Sequence, residues 1–304
     1  MSTVVECVAN FSEGRRLDVV DQIVSAIASI DGTSVLGYES DRDHNRSVVT
    51  FVGDRTAVIN SAFEGIATAS QLIDMDMHSG QHPRIGATDV VPFIPLENMT
   101  MQDCAKMAHD LGKRVGDELN IPVYLYGEAA TRADRVNLAD IRRGGYEGLK
   151  DVIAIDEKHA PDYGASQIGK AGATAIGARG FLVAYNMYLN TDNVDIARKI
   201  AQAVRGSSGG LRYVKALGLL VDGKAQVSMN LTDFTQTPVY HAVEMVRREA
   251  QRYGVMVERS ELIGLLPQSV LLDVAKWYLQ LDNLTPERVL EWQMSKLFTP
   301  SVEN

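Results

Sequence analysis

His78-Ser79-Gly80-Gln81-His82-Pro83-Arg84-Ile85-Gly86-Ala87-Thr88-Asp89 is the densest polar stretch of the chain that has neither helix nor strand period. It places two histidines, an arginine and an aspartate in a loop stiffened by Pro83 and bent at Gly86. Histidine can take and return a proton near neutral pH, so the chemistry on offer is general acid–base catalysis. Pro83 holds His82 in extended backbone and limits where its imidazole points. The plain alternative is a histidine that hydrogen-bonds a turn. His78 and His82 have the i, i+4 spacing of a helical metal pair, but Gly80 and Pro83 argue against the helix such a pair needs, and no metal is expected.

Two further clusters carry polar chemistry. Glu39-Ser40-Asp41-Arg42-Asp43-His44-Asn45-Arg46 joins two expected strands and holds more charge than a hairpin turn requires. A solvated turn is one reading; the other is a substrate contact, with Asn45 and Arg46 presenting a fork to a carboxylate. The third run extends from Asp162 to Gly180 and contains Tyr163-Gly164-Ala165-Ser166-Gln167-Ile168-Gly169-Lys170-Ala171-Gly172. Its recurring glycines let backbone approach a ligand, and exposed amides beside Tyr163 suit a planar heterocycle. It has no G-x-G-x-x-G and leads into a strand rather than a helix, so a dinucleotide site fails on context.

Hydrophobic period supplies the elements that must position these residues. A strand over 3–8 is followed by a loop at 9–14, a helix near 17–30, strands near 34–40 and 46–52, a helix near 55–73 and a strand over 90–95. Pro92 and Pro95 mark that last strand as an edge or a bulge. The order is β-α-β-β-α-β, the ferredoxin-like pattern. It recurs as a strand over 181–189, a helix over 194–204, strands over 214–221 and 225–231 joined by the hairpin signal Asp222-Gly223, a helix over 239–253 and a strand over 255–265. An extra helix (about 101–119), a strand over 123–126 and a less regular region to about 174 lie between. Helices near 269–281 and 286–297 end the chain, the second with Thr285 as N-cap and Pro286 in its first turn. Trp277 and Trp292 read as structural anchors. The expected fold is therefore mixed α/β (α+β): two subdomains, 1–179 and 180–304, with sheets layered against outer helices and a ligand cleft between them.

With 304 residues, 45% apolar content and 23% charged content, the composition is that of a globular protein with a sizeable core. The net charge of −9 argues against nucleic acid as a partner and leaves room for a small anion held by local arginines. Cys7 and Cys104 form no metal spacing and read as buried small side chains in a reducing compartment. No leader is expected in the N-terminal residues, and no stretch reaches membrane-spanning length, so a cytoplasmic protein is expected.

The motifs also carry a resemblance. Glu6-Cys7-Val8-Ala9-Asn10-Phe11-Ser12-Glu13-Gly14, His44-Asn45-Arg46-Ser47-Val48-Val49-Thr50-Phe51-Val52-Gly53 and His82-Pro83-Arg84-Ile85-Gly86-Ala87-Thr88-Asp89-Val90 resemble segments of glutamate formimidoyltransferases. So do Pro122 to Ala129, Gly177 to Asn186 and Gln226-Val227-Ser228-Met229-Asn230-Leu231, and the resemblance covers nearly the whole chain. It implies transfer of a formimino group from N-formimino-L-glutamate to tetrahydrofolate as co-substrate, a step of histidine degradation, by a homodimer without an attached cyclodeaminase. It implies His82 as the catalytic histidine and Tyr163–Gly172 as the folate-binding run. Asn10 and Glu39 fall where the family meets substrate, although Glu39 stands where an aspartate is common and Ala9 replaces a frequent proline. Arg46 or Arg84 would bind carboxylates. A formyl donor such as N-formylglutamate, or 5-formyltetrahydrofolate metabolism, on the same scaffold is one alternative; a non-catalytic folate or amino-acid binding module is another.

Overall fold

A computed structural model describes residues 3–298. Met1 and Ser2, part of the stretch read as free of a leader, lie outside the described residues. The chain divides after Gly180 into two compact units.

In the first unit, strands β1 (Val5–Phe11), β2 (Thr33–Asp41), β3 (Arg46–Gly53), β4 (Thr88–Pro95), β5 (Val123–Gly127) and β6 (Thr174–Ala178) form one sheet in the order β2-β3-β1-β4-β6-β5. Helices α1 (Leu17–Ala28), α2 (Arg55–Leu72) and α3 (Met101–Leu119) pack on it. Two short helices, α4 (Leu138–Ile141) and α5 (Gly145–Val152), follow β5. The four strands β1 to β4 pair antiparallel as expected for a ferredoxin-like unit; β6 and β5 extend it by parallel pairing.

Local sequence explains these elements. Helix α1 turns Val19, Val20, Ile23 and Ile27 inward. Asp54 caps α2 by accepting from the amides of Thr56 and Ala57, and Thr100 with Asp103 makes a reciprocal capping box on α3. Along β1, Val5, Cys7, Ala9 and Phe11 join Val49 and Phe51 of β3 in the core under the helices. The alternate residues Glu6, Val8 and Asn10 therefore face away from the core, level with Val52, Thr50 and Val48 of β3.

Three expectations change. Strand β1 runs on through Phe11, so Asn10 sits on a strand and not in a loop. Strand β4 lies inside the sheet, between β1 and β6, and is no edge. Its pairing with β1 runs from Val5↔Pro95 to Cys7↔Phe93 and resumes at Asn10↔Val90, leaving a gap opposite Pro92, which has no N–H to give. Within that gap Asn10 Nδ2 donates to Val8 O at 2.9 Å. Strand β6 falls inside the run read as a glycine-rich loop; Thr174-Ala175-Ile176-Gly177-Ala178 lacks the β-branched content of an obvious strand but is buried and paired on both sides.

The second unit is closer to its sequence reading. Strands β7 (Val183–Leu189), β8 (Val214–Val221), β9 (Lys224–Leu231) and β10 (Val257–Ile263) form an antiparallel sheet in the order β10-β7-β9-β8, with α6 (Val194–Val204) and α7 (Val239–Arg252) as its helices. Asp222 and Gly223 take φ of +50° and +68°, the doubly left-handed turn expected between β8 and β9. Helix α8 (Gln268–Leu279) is fastened to α7 by Trp277, whose ring stacks on Tyr240 with centroids 4.4 Å apart. Helix α9 (Leu290–Phe298) begins later than its cap signal, because Pro286 to Arg288 form a separate 3₁₀ turn and the Thr285 side chain caps nothing. Both cysteines are buried and unbridged. Among the described residues no helix is long and apolar enough to cross a membrane.

Gly86 links the loop that carries His82 to the glycine-rich run. It bridges Gly172, while Ala87 N donates to Ala171 O and Ala173 N to Ile85 O. A Cβ at Gly86 would lie 2.1 Å from Ala173 O. Gly86→Ala is therefore expected to lower stability by on the order of 2 kcal/mol, read as a lower urea midpoint. Gly148→Ala is the control: it lies in α5, a Cβ there meets nothing within 4 Å, and its midpoint should hold or rise slightly.

Candidate active site

Three segments of the first unit interlock at the loop ends of β1, β3 and β4. Ser12 N donates to Ala87 O and Ser12 Oγ to Gly86 O. Glu13 is buried and binds the entry to α1: its carboxylate accepts from the amides of Arg15 and Arg16 and from the Arg16 side chain. Burial raises the Glu13 pKa, but these hydrogen bonds from Arg16 and Arg15 outweigh it and keep the group low. Asn45, at φ +48°, accepts from Gly14 N through Oδ1 and donates to Ser79 O through Nδ2. A Cβ at Gly14 would fall 2.6 Å from Arg46 N, and one at Gly80 would fall 2.2 Å from His44 O. Two glycines thus let the outer segments close on the turn that delivers Arg46.

His82 stands in this junction. Its Nδ1 lies 2.7 Å from Pro83 O, a pure acceptor, so Nδ1 carries the proton and Nε2 presents a lone pair. Arg46 Nη1 donates to that Nε2 at 2.6 Å. His44 meets the ring edge-on with centroids 5.9 Å apart. Burial, then the positive charges of Arg46 and Arg142, hold the His82 pKa well below the ordinary histidine value. Burial and Arg142 also bring Arg46 down to about 10, against the opposing pull of Asp89 and Asp41. Arg46 remains a cation at neutral pH.

Arg142, at the end of α4, was not singled out by sequence. Its Nη2 pairs with Asp89, whose other oxygen accepts from Ile85 N. The available signal was Arg142-Arg143-Gly144-Gly145 after a short helical run, which does not reveal which arginine turns inward. Asn10 Oδ1, His44 Nε2, Arg46 Nε, Thr88 Oγ1 and Arg142 Nε are all buried without a hydrogen-bond partner. Among the described residues the other such atoms are the two amide atoms of Gln226 in the second unit. Buried polar atoms left unpaired are costly, and three of these belong to residues that act on His82: His44, Arg46 and Arg142.

The residues expected from sequence part company here. Asn10 and Glu39 lie in one cross-strand row through Val48, on the sheet face opposite the core, and Arg46 is one alternation further along β3. His82 joins that group through Arg46. Arg84 does not: its fork closes on Glu147 at 2.9 and 2.6 Å, and its Nε and Nη2 serve His78. His78 donates its other nitrogen to Asn45 O, so it braces the loop. The Tyr163 ring is no exposed platform. It packs against Gly112 and Gly116 of α3, and its hydroxyl pairs with His109. In the rest of its run Ile168 is buried in the core, Ala171 O is taken by Ala87 N, Lys170 pairs with Asp74, and Gly172 holds φ +71° against Ile85 O. Gly164, Ser166, Gln167 and Gly169 are exposed and Ala165 partly so. No group of three or more His, Cys, Asp or Glu that could hold a metal occurs among the described residues.

Two family models match in tandem: the formiminotransferase domain, N-terminal subdomain, over residues 4–179, and the formiminotransferase domain over residues 184–297. The chain belongs to the formiminotransferase family. It is 53% identical to a glutamate formimidoyltransferase of Thermoplasma acidophilum, across 97% of this chain and 98% of the relative. It is 47% identical to the glutamate formimidoyltransferase of Streptococcus pyogenes serotype M1, across 93% and 95%. The formimidoyltransferase-cyclodeaminase of Sus scrofa is 44% identical over 93% of this chain, which spans 54% of that longer protein. The boundary between the two family models falls beside the division seen in the structure.

The depressed histidines of this formiminotransferase have a consequence for stability. Folded His82 and His78 both bind protons less readily than they do in the unfolded chain, where the midpoint is about 6.5. Acid therefore favours the unfolded chain: this stability is present above about pH 6.5 and is lost as pH falls below it. The urea midpoint should drop between about pH 7.5 and about pH 5, and His82→Gln should shrink the drop. Equal drops in the two proteins would show that His82 is not held neutral.

Proposed function

We propose that the chain transfers a formimino group from N-formimino-L-glutamate to tetrahydrofolate, giving 5-formiminotetrahydrofolate and L-glutamate. The observation that carries the reading is the match to a glutamate formimidoyltransferase across 97% of this chain and 98% of the relative, together with a neutral His82 whose Nε2 meets the guanidinium of Arg46.

The chemistry asks for one proton to be moved twice. Folate N5 attacks the formimino carbon, and a tetrahedral carbon forms. N5 then gives up its proton, the bond from that carbon to the glutamate nitrogen breaks, and the nitrogen gains a proton. Arg46 Nη1 leaves Nε2, which then accepts the first proton and returns it to the leaving nitrogen, while Nδ1–H stays on Pro83 O and keeps the ring aligned. Both substrates are anionic, and in a chain of net charge −9 the arginines of this site are what attract them. Arg46 takes a substrate carboxylate; Asn10 Oδ1 offers an acceptor to a substrate N–H, with Glu39 further along the same face. The exposed part of the run 164–170 is the edge offered to folate. Arg84 and Asn45 hold the loops in place. A cytoplasmic homodimer of two-subdomain chains is the assembly we attach to this reading.

His82→Ala should lower kcat for formimino transfer by roughly 10²–10⁴-fold, the usual contribution of a positioned acid–base group. Wild-type kcat in that variant would remove His82 from the chemistry. Arg46→Lys loses the planar fork and should raise KM for a carboxylate substrate about tenfold; unchanged KM for both substrates would remove Arg46 from substrate binding. Glutamate release measured in parallel with formimino and formyl donors should favour the formimino donor, and preference for N-formylglutamate would overturn the assignment of the transferred group.

A further inference from the structure

No carboxylate among the described residues hydrogen-bonds His82. Its ring meets Pro83 O, the Arg46 guanidinium and the edge of His44. A histidine that accepts a proton in an enzyme commonly has an anion nearby to stabilise the imidazolium. Here the charges that act on it are the cations of Arg46 and Arg142, with a smaller contribution of the same sign from His44. The protein's own anions are occupied. Asp89 holds Arg142 and the amide of Ile85, and Asp41 accepts from both the amide and the ring of His44. The two arginines also act on each other, since the charge of Arg142 helps to lower Arg46. Each has a buried Nε without a partner. Two like charges facing one region with unpaired N–H groups describe the binding site of an anion.

Building on the transferase reading, we infer that a carboxylate of the glutamate-type substrate seats between Arg46 and Arg142, and that its arrival turns His82 into a working base. The Nε edge of Arg46 is the edge not engaged by His82, so the carboxylate can bind there and draw the guanidinium off Nε2, freeing its lone pair for a proton. The bound anion offsets the two positive charges beside the ring and stabilises the imidazolium that forms when Nε2 takes a proton. The substrate thus supplies the anion that the protein withholds. An empty site holds a weak base, and a site filled by the amino-acid substrate holds a stronger one. Arg142 becomes a positioning and binding residue for the reaction, with Asp89 fixing its direction.

The test follows the His82 imidazole by NMR in the full chain, without folate, as pH is varied with and without saturating L-glutamate at matched ionic strength. Glutamate should raise the proton affinity of His82 by about tenfold or more. In steady-state kinetics, the acid limb of kcat, which reports the filled site, should lie at higher pH than the acid limb of kcat/KM, which reports the empty one. Arg142→Gln should raise His82 proton affinity in the free protein, weaken L-glutamate binding about tenfold and blunt the response to it; Arg142→Lys should restore part of each effect. Glutamate that binds without moving His82, or that fails to bind at all, overturns the inference, and the wild-type titration decides this even if Arg142→Gln does not fold. Formimino transfer assayed on the same preparation separates the two readings. Activity with an unmoved His82 sinks the inference alone; a moved His82 without transfer from a formimino donor sinks the assigned reaction alone.

Discussion

The contact between Arg46 Nη1 and His82 Nε2 is the constraint around which the first unit is arranged. It sets a permanent cation against the lone pair of an imidazole whose other nitrogen is fixed by Pro83 O. Such a contact needs both partners held from behind. Arg46 opens β3, under a turn clamped by Asn45, Gly14 and Gly80. His82 hangs in a loop whose far end is locked to β1 through Ser12 and to the glycine-rich run through the bridge between Gly86 and Gly172. The sheet order places these ends together, because β3, β1 and β4 are neighbours.

The electrostatics of the site run against those of the whole chain. A net charge of −9 spreads over the molecule, yet the groups acting on His82 are two arginines. Their counter-ions, Asp89 and Asp41, are local and already committed, which leaves unpaired N–H edges on both arginines. Burying charge is expensive unless it is paired, so the protein holds part of its site in a condition that a bound anion relieves.

Sequence period read the second unit closely. The helix at Val194–Val204 and the strand at Val214–Val221 fall where apolar spacing put them, and Asp222-Gly223 makes the left-handed turn its residue types demand. Half-buried antiparallel strands and amphipathic helices carry their environment in their spacing. Strand β6 does not: Thr174-Ala175-Ile176-Gly177-Ala178 is buried on both sides and built from small residues, so no alternation betrays it. Pro92 reads in the sequence as an edge or a bulge, and the structure keeps the irregular ladder, with a register shift between Asn10 and Phe11, but not the edge. A proline forbids a donated hydrogen bond, but the ladder can leave a gap opposite it and the strand can still sit in the middle of the sheet.

The chain by itself determined the two β-α-β-β-α-β units, the family, and the candidates His82, Asn10, Glu39, Asn45 and Arg46, because residue type and order carry that information along the sequence. It did not determine which cation meets the histidine. Arg46 and Arg84 were equal candidates on residue type; the fold turned Arg84 onto Glu147 and His78 and turned Arg46 onto His82. It packed Tyr163 beneath α3, and it brought Arg142 in from a segment that no motif had marked. Those outcomes depend on which groups reach hydrogen-bonding distance across long stretches of chain. Only the packing of sheet, loops and short helices fixes such distances.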